Sequence, residues 1–453
     1  MTEVDVLVIG GGTAGEYAAG TLLEFDRSVA IVDHSKVGGD CIFHACIPTK
    51  TLANSARLYE KIKAAEFYGL PGVNEEADYA KVKDYKDRVI APIGEGRAES
   101  WRKKGAAVLH DTARFRSPTL IEVGSESVKA EQTIVCTGST PAIPPIAGLA
   151  ESGYITNIEA LELTRLPASL GIIGGGPIGI EFGQIFSTFG CEVTIYELAP
   201  HILPLEDEEI SSACEQSIRD RGIRVRTEVK VVSVERTADG RSLTFENKEG
   251  RQTRAMHSEI LVATGRQARL TELNLDAAGV EHDRKGIKVD RTHRTTTPNI
   301  WAAGDVTGGR MFTYVAGEQG KLAALNCMDG GNREIDYDVF PRATFGNPEV
   351  ASVGLTERQA REQGWDVEIG RFEYANLTRG ILTGEKEGFF KIVSEQGSGK
   401  LLGGHIIGAE ASTLIHELAM AMKANVPASD VGNLLHVYPT WAEGVRYACQ
   451  ATG

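Results

Sequence analysis

The sequence predicts an α/β protein in which two parallel βαβ units precede a C-terminal α+β region. A strand, a Gly-rich turn, a helix and a second strand follow one another at residues 4–32, and the same order returns at 170–196. Repeats of this kind form parallel sheets covered by helices. From about residue 340 the pattern changes to strand-like runs and one amphipathic helix. This change predicts a third region of a different architecture.

The individual elements follow from apolar runs that are punctuated by glycine. Short apolar runs rich in Val and Ile predict strands, whereas longer runs with apolar residues at helical spacing predict helices. The predicted strands are 4–9, 29–32, 170–173, 193–196, 389–393 and 403–407, and the predicted helices are 13–25, 178–189 and 414–424. A Pro-rich run at 141–145 marks a connection between the two units.

Composition excludes several classes of protein. The 453 residues are 42% hydrophobic and 24% charged, as in an ordinary globular protein, and their net charge is −14. An acidic surface repels nucleic acid and anionic lipid, so we expect neither as a partner. Apolar runs fall short of the roughly 20 residues that span a bilayer, and the N-terminus lacks the basic start of a signal peptide. We therefore expect a cytoplasmic protein without a disulfide scaffold, although it has seven cysteines.

The first Gly-rich turn fits the dinucleotide fingerprint G-x-G-x-x-G at Gly10, Gly12 and Gly15. Glycines at these positions allow a tight turn, and the following helix offers its N-terminus to a pyrophosphate. Asp33 ends the next strand, where a carboxylate binds a ribose hydroxyl. This unit therefore predicts one dinucleotide site.

The second turn repeats the fingerprint at Gly174, Gly176 and Gly179, and Glu197 ends its second strand. Two fingerprints in the correct context imply two bound dinucleotides. A 2′-phosphate requires Arg or Lys near the end of that strand, but residues 197–201 contain neither. The second site is therefore predicted to favour NAD(H) over NADP(H).

A close pair of cysteines, Cys41 and Cys46, follows the first unit. A zinc site would need a second pair at similar spacing, which the sequence lacks, so we expect no metal centre. A structural disulfide is also unexpected in a reducing compartment. The pair is interpreted as a redox pair at the start of a helix, where the helix dipole favours thiolate.

With these motifs, the chain resembles the FAD-dependent pyridine nucleotide–disulfide oxidoreductases, which include dihydrolipoamide dehydrogenase and mercuric reductase. The resemblance covers essentially the whole chain. The family pattern G-G-x-C-x-x-x-x-C-x-P-[ST]-K is matched from Gly38 to Lys50. Further family motifs are Thr137-Gly138-Ser139, Ala263-Thr264-Gly265-Arg266 and Ala302-Ala303-Gly304-Asp305, with Pro348-Glu349 and residues 353–356 at the start of the C-terminal region.

The resemblance implies a role for each site residue. Cys46 would be the thiol next to the flavin and Cys41 the interchange thiol, while Lys50 would pair with Glu181 beside the flavin. The implied FAD residues are Gly10, Gly12, Gly15, Asp33, Gly39, Lys50, Ala113, Thr137, Gly138, Ser139, Asp305, Met311, Phe312, Thr313 and Tyr314. The implied NAD residues are Gly174, Gly176, Gly179, Glu181, Glu197 and Gly265.

The resemblance also implies the domain order and a homodimer. Residues 1–149 would be the first part of an FAD-binding domain, 150–266 an NAD-binding domain, 267–336 the second part of the FAD domain, and 337–453 the dimerisation domain. Two Rossmann-like domains would thus precede an α+β dimerisation domain. The active site would be shared across the interface, with Tyr438 and Glu443 reaching the cysteines of the partner subunit.

The C-terminal motif departs from the pattern of dithiol-handling members, which carry His-Pro-Thr-x-x-Glu. Here Tyr438 occupies the position of the catalytic His, whereas Glu443 keeps its register. An ordinary Tyr has a pKa about 3.5 units above that of His, so it is a poor base at neutral pH. His436 remains as either an acid–base group or a structural hydrogen-bonding group. With a Tyr at this position, the motif resembles that of mercuric reductases. Those enzymes end in a vicinal pair of cysteines, whereas this sequence has a single cysteine, Cys449, in that region.

The leading hypothesis is an NAD(H)-dependent, dihydrolipoamide dehydrogenase-like enzyme that acts on a lipoyl or other small thiol or disulfide substrate. The first alternative is a mercuric reductase-like enzyme that reduces a metal ion, a quinone or another small oxidant. The second is a flavin-bound redox sensor or complex subunit with little turnover.

Overall fold

The computed structural model describes residues 2–73 and 75–452. Its strands are β1 Thr2–Ile9, β2 Val29–Asp33, β3 Ala107–His110, β4 Ala113–Ser117, β5 Leu120–Val123, β6 Glu126–Val135, β7 Ser139–Pro141, β8 Ser169–Ile173, β9 Glu192–Tyr196, β10 Arg224–Arg226, β11 Val229–Thr237, β12 Gly240–Asn247, β13 Gln252–His257, β14 Glu259–Val262, β15 Arg266–Ala268, β16 His282–Asp283, β17 Gly286–Ile287, β18 Ile300–Ala302, β19 Arg342–Thr344, β20 Glu349–Gly354, β21 Val367–Glu373, β22 Phe389–Glu395 and β23 Leu401–Gly408. Its helices are α1 Thr13–Leu23, α2 Gly39–Phe43, α3 Cys46–Lys63, α4 Tyr79–Gly94, α5 Arg97–Lys103, α6 Leu149–Ser152, α7 Asn157–Glu162, α8 Pro177–Thr188, α9 Glu208–Asp220, α10 Thr313–Asp329, α11 Glu357–Glu362, α12 Thr378–Thr383, α13 Ala411–Lys423, α14 Ala428–Asn433 and α15 Glu443–Gln450.

The chain divides into two compact units. Unit 1 comprises Met1–Thr51, Lys83–Ile143 and Gly265–Ile335, and unit 2 comprises Leu52–Val82, Pro144–Thr264 and Asp336–Gly453. One segment of unit 1 ends inside the Pro-rich run. The finer division into FAD, NAD and dimerisation segments stays a prediction.

Unit 1 is built on a sheet whose parallel strands lie in the order β3-β2-β1-β6, with β18 also pairing parallel to β6. β5 and β4 extend the sheet in antiparallel fashion. Along β1, Val6 and Val8 belong to one apolar cluster, whereas Leu7 and Ile9 belong to another. Both faces of the sheet are therefore buried, which explains why the strand reads as an unbroken apolar run.

Unit 2 contains a second parallel sheet, with strand order β10-β9-β8-β14, and an antiparallel sheet of β11, β12 and β13. Its C-terminal part is a five-stranded antiparallel sheet in the order β19-β20-β23-β22-β21, and α13 shares an apolar cluster with this sheet. The predicted α/β class, the two βαβ units and the α+β C-terminal region are confirmed.

The predicted elements lie within about three residues of the observed ones, which is the usual uncertainty of element ends. As expected, a helix begins at the cysteine pair, since Cys46 is the first residue of α3. Sequence reasoning did not anticipate the 18-residue length of α3 or the 16-residue helix α4. Among the described residues, no helix is both long and apolar enough to cross a membrane.

Within unit 2, a buried lysine on the C-terminal sheet forms ion pairs with residues at the start of α9, in the part that contains the second fingerprint. Lys391 on β22 is 2% exposed, and its Nζ lies 2.9 Å from Asp207, 2.6 Å from Glu209 and 2.9 Å from Glu357. Asp207 is itself 3% exposed and caps α9 by accepting the N–H of Glu209. Burial opposes the charge of Lys391, but the three carboxylates outweigh it and raise the pKa of the lysine.

We expect Lys391→Met to lower the free energy of unfolding by about 3–5 kcal/mol, because it leaves the Asp207 carboxylate buried without its cation. The matched control is Lys230→Met, which removes a lysine that is 66% exposed and lies 3.9 Å from Glu246. Loss of such a surface pair costs less than about 1 kcal/mol. Urea unfolding of both variants measures the difference, and equal midpoints would contradict this account of Lys391.

Candidate active site

The first Gly-rich turn brings the backbones of β1, α1 and β6 into close approach. Gly10 has a φ of +105°, and a Cβ on it would lie 2.2 Å from the carbonyl oxygen of Cys136. A Cβ on Gly15 would lie 1.9 Å from the carbonyl oxygen of Gly10. Both positions therefore exclude a side chain. A Cβ on Gly12, by contrast, would meet the Cα of Gly39 at an ordinary 3.8 Å, so packing within the chain does not require a glycine at the N-cap of α1.

The second turn in unit 2 repeats this geometry. A Cβ on Gly174 would lie 2.4 Å from the carbonyl oxygen of Ala263, and one on Gly179 would lie 2.1 Å from the carbonyl oxygen of Gly174. Gly176 is the N-cap of α8, the position that Gly12 holds for α1. The two fingerprints thus adopt the same strand–turn–helix arrangement.

The acids that end β2 and follow β9 are also held alike. One carboxylate oxygen of Asp33 accepts the N–H of Gly11 at 2.7 Å, and the other accepts the N–H of Ser35 at 2.8 Å. Glu197 accepts the N–H of Gly175 at 2.6 Å and that of Ala199 at 2.7 Å. Each acid is therefore locked at the edge of its turn, where a ribose hydroxyl would bind.

The cysteine segment packs directly on the first turn, since a Cβ on Gly39 would lie 2.7 Å from the Cα of Gly12. Cys41 lies on α2, Cys46 begins α3, and both are half-buried free thiols. Their side chains are within hydrogen-bonding contact. The structure therefore brings the predicted redox pair together beside the first fingerprint.

The two sulfurs have different surroundings. The hydrogen bond with Cys46 is the main cause that raises the pKa of the Cys41 thiol, burial adds to it, and Thr313 and Lys50 act in the opposite direction. The Thr313 hydroxyl, at the first residue of α10, lies 3.1 Å from the sulfur of Cys46. Cys46 thus lies at the N-terminus of its own helix and within hydrogen-bonding distance of a hydroxyl, and both features suit a thiolate when the hydroxyl donates.

The motifs expected to contact FAD are gathered in unit 1. The Thr137 hydroxyl donates to the carbonyl oxygen of Arg269 at 2.8 Å, and the Ser139 hydroxyl donates to Asp305 at 2.5 Å. Gly138, between them, accepts the N–H of Arg269 at 3.0 Å. Burial raises the pKa of Asp305, while Ser139 and a nearby arginine act against it.

The remaining residues expected at the FAD site lie on neighbouring elements. Phe312 is the N-cap of α10, and the centroid of its ring lies 5.6 Å from that of Tyr314. Met311 directly precedes Phe312 in the chain. Ala113 on β4 is buried in the apolar cluster that contains Ile9 and Val32, the residues near the ends of β1 and β2.

Lys50 and Glu181, the predicted pair, lie on α3 and α8. Lys50 is one helical turn beyond Cys46. Glu181 is 5% exposed and accepts the N–H of Phe345 at 2.9 Å. In the other nucleotide motif, Gly265 accepts the N–H of Ala142 at 2.9 Å. The pairing of Lys50 with Glu181 stays a prediction.

In the C-terminal motif, the tyrosine side chain is exposed and the histidine side chain is buried. Tyr438 is 67% exposed, and its hydroxyl donates to that of Thr378 at 3.1 Å. The His436 side chain is only 5% exposed. Its Nε2 lies 2.9 Å from Glu417, and its Nδ1 lies 3.0 Å from the carbonyl oxygen of Leu434. Both nitrogens therefore face acceptors within the fold, which fits the structural role of His436 and not the acid–base role.

Glu443 is 4% exposed and accepts the N–H of Thr440 at 3.0 Å and the hydroxyl of Tyr447 at 3.3 Å. The carboxylate thus fixes the loop that follows Tyr438. Cys449, on the same helix, is fully buried, and burial raises its pKa to about 12. This environment is that of a packing residue and not of a third redox thiol.

Sequence reasoning missed two residues of the site, Asp40 and Arg266. Their side chains form an ion pair with a contact of 2.5 Å. A signal was present, because each directly follows a glycine of a recognised motif, but their partnership spans 226 positions of the chain.

The chain matches a family model described as pyridine nucleotide-disulphide oxidoreductase over residues 4–320 and the model of that family's dimerisation domain over residues 340–449. A mercuric reductase of Streptomyces lividans is 34% identical, with 99% of this chain and 96% of the relative covered. A dihydrolipoyl dehydrogenase of Thermus scotoductus is 35% identical, with 100% and 98% covered.

Among solved structures, the chain is similar to a Cu(II) complex of RclA, the HOCl-induced flavoprotein disulfide reductase of Escherichia coli. The TM-score is 0.89 and the identity is 27%, with 99% of each chain covered. These similarities extend over both units and not only over the glycine fingerprints.

In a Cys41→Ser background, we expect Thr313→Val to slow alkylation of Cys46 at pH 7 about tenfold. A hydrogen bond to a charged group contributes about 1.5–3 kcal/mol, so its loss lowers the thiolate fraction by at least one order of magnitude. Thr313→Ser keeps the hydroxyl and serves as the control. The measurement is the rate of iodoacetamide modification by mass spectrometry, and equal rates in the Val and Ser variants would contradict a role for the hydroxyl.

Proposed function

Because this chain belongs to the pyridine nucleotide-disulphide oxidoreductase family, we propose that it passes electrons from NADH, by way of FAD and the Cys41–Cys46 disulfide, to a small thiophilic oxidant. The observation that carries this proposal is the C-terminal motif. Tyr438 stands where dithiol-handling members have a histidine, and both nitrogens of His436 face acceptors. A reaction that needs no imidazole base suits this motif better than proton exchange with a dithiol does.

The family implies FAD and a pyridine nucleotide, and the residues of unit 1 fit FAD. Packing within the chain does not explain Gly12 at the N-cap of α1, where a pyrophosphate would bind, and Asp33 is held in place for a ribose. We assign FAD to the residues expected from the motifs: Gly10, Gly12, Gly15, Asp33, Gly39, Lys50, Ala113, Thr137, Gly138, Ser139, Asp305, Met311, Phe312, Thr313 and Tyr314. Bound FAD supplies a two-electron carrier that serves both the nicotinamide and the cysteine pair.

The second fingerprint would bind NADH. Glu197 carries a fixed negative charge, which accepts a 2′-hydroxyl but repels a 2′-phosphate. The assigned residues are Gly174, Gly176, Gly179, Glu181, Glu197 and Gly265. Lys50 would pair with Glu181 and place a positive charge near the flavin.

The cysteine pair performs the final transfer. Two electrons break the Cys41–Cys46 S–S bond, and Cys41 takes up a proton while Cys46, beside Thr313, carries the negative charge. The two sulfurs then give two electrons to an oxidant such as Hg(II), Cys41 releases its proton, and the S–S bond forms again. Mercuric reductases and a Cu(II) complex among the relatives support this class of oxidant.

The dimerisation domain supports a homodimer. We assign Tyr438 of one subunit to the cysteine pair of its partner, because the side chain is 67% exposed on its own subunit. Glu443 would act there as a positioning residue, since it holds the loop that carries Tyr438.

Dihydrolipoamide oxidation is the second candidate function. The NAD-type acid Glu197 and the retained Glu443 favour it, as does the 35% identity with a dihydrolipoyl dehydrogenase. A panel of acceptors separates the candidates, with NADH oxidation followed in the presence of thiol-bound Hg(II), Cu(II), quinones or lipoamide. Turnover with the metal ions but not with lipoamide supports the proposal, the reverse result supports the second candidate, and near-zero turnover with all of them supports a redox sensor.

We expect Tyr438→His to raise lipoamide turnover by at least tenfold, because a general base contributes about 10²–10⁴ in rate. Tyr438→Phe is the control that removes the hydroxyl without adding a base. Steady-state kinetics with lipoamide measures the change. An unchanged rate in the His variant would show that Tyr438 does not limit dithiol chemistry.

We expect NADH to be preferred to NADPH by at least tenfold in kcat/KM, since one charged hydrogen bond contributes about 1.5–3 kcal/mol. Glu197→Gln keeps an oxygen that can accept from Gly175 but removes the negative charge. The ratio of kcat/KM for NADH to that for NADPH should therefore fall, because kcat/KM for NADPH rises. The ratio of kcat/KM values for the two nucleotides is the measurement. Equal use of both nucleotides by the unmodified chain would reject the choice of NADH.

A further inference from the structure

We infer that Arg266 and Asp40 are positioning residues that fasten the cysteine turn to the motifs assigned to FAD and thereby set the approach of Cys41 to Cys46. This inference rests on the proposed function, because it concerns the same cysteine pair. Neither residue is assigned a contact with a nucleotide or substrate.

Arg266 lies at the centre of a directed set of hydrogen bonds in unit 1. Its side chain is 16% exposed, and its Nη2 donates to Asp40 at 2.5 Å and to the carbonyl oxygen of Ser139 at 2.9 Å. Its Nε donates to the Ser139 hydroxyl at 2.6 Å, which in turn donates to Asp305 at 2.5 Å. One guanidinium therefore holds the cysteine turn, the first T-G motif and the A-x-G-D motif together.

The backbone holds one side of this arrangement more firmly than the other. Arg266 lies on β15, which pairs with β7 so that Ala268 is opposite Ser139. Asp40 lies on α2, which has five residues, and so short a helix has little stability of its own. The side chain of Asp40 compensates by bonding in two directions, since its second oxygen lies 3.4 Å from Nδ1 of His44.

Charge explains why the two residues form a pair. Asp40 and Asp305 are two carboxylates in one polar cluster, and Arg266 lies 3.9 Å from Asp305 as well as in contact with Asp40. Burial opposes the charge of Asp40, but His44 and Arg266 outweigh it and lower its pKa to about 2. At neutral pH the carboxylate is therefore charged and held by the fixed fork of the guanidinium.

Asp40 directly precedes Cys41, so its anchor bears on the position of the Cys41 sulfur. Cys46 is held separately, by α3 and Thr313. When the Asp40–Arg266 pair is broken, Cys46 stays on α3 beside Thr313, while Cys41 loses the anchor next to it and moves more freely. The effective concentration of one thiol at the other depends on such alignment, so formation of the disulfide should become less favourable.

The test measures this disulfide equilibrium in the full chain with FAD bound, without NADH or any acceptor. In glutathione buffers the two thiols give two electrons and two protons to glutathione disulfide, and the Cys41–Cys46 S–S bond forms. Alkylation and mass spectrometry give the oxidised fraction. We expect Asp40→Ala to lower the equilibrium constant about tenfold, and Asp40→Asn to lower it less because its amide oxygen can still accept from Arg266.

The exposed Asp84 provides the matched control, and Asp84→Ala should equal the unmodified chain. Arg266→Lys is the second variant, in which one ammonium replaces the separate Nε and Nη2 donors that bond Ser139 and Asp40, so the constant should again fall. In the double variant, Arg266→Lys should lower the equilibrium constant little beyond the decrease caused by Asp40→Ala alone. Unchanged constants in Asp40→Ala and Arg266→Lys, or independent effects that multiply in the double variant, would overturn the inference. Absence of turnover with every acceptor would reject the proposed function and leave this equilibrium result standing.

Discussion

The arrangement of the candidate site depends on the close backbone approach at the first glycine turn. The carbonyl oxygen of Cys136 occupies the place that a side chain on residue 10 would need, and Gly39 packs against Gly12 at backbone distance. These contacts fix the position of the N-terminus of α1. They also place Asp33 next to the turn and the cysteine segment against Gly12. A Cβ at Gly10 or Gly39 would separate elements that the proposed electron path requires in contact.

Around this turn, the chain places polar groups where they make the two cysteines unequal. Cys46 begins α3 and lies 3.1 Å from the Thr313 hydroxyl, whereas the hydrogen bond with Cys46 raises the pKa of Cys41 and Thr313 only partly opposes it. Asp40, held by Arg266, lies immediately before Cys41. The other buried thiols of the chain, such as Cys136 and Cys449, have apolar surroundings that raise their pKa to about 12, so they are poorly suited to exchange. Reactivity is thus a property of the local environment and not of the number of cysteines.

The fold class, both fingerprints, their two acids and the start of a helix at Cys46 could be read from the sequence, because each signal is local. Such signals can be interpreted without knowledge of the rest of the chain. They are the glycines that accept no Cβ, a carboxylate at a strand end and two thiols five residues apart. The Arg266–Asp40 pair and the contacts of His436 with Glu417 and Leu434 could not be read in this way. They join side chains whose meeting depends on the paths of several intervening elements.

The sequence alone determined that two dinucleotide motifs and one close pair of cysteines share a chain, and that Tyr438 stands where dithiol-handling members of the family have a histidine. Only the tertiary structure decided the surroundings of the neighbouring histidine. His436 lies two residues from Tyr438 and could have served as a base in its place, but its ring is buried between a carboxylate and a carbonyl oxygen. The physical reason is that a side chain's identity fixes the protons it can exchange, whereas burial and hydrogen-bond partners fix whether a substrate can reach them.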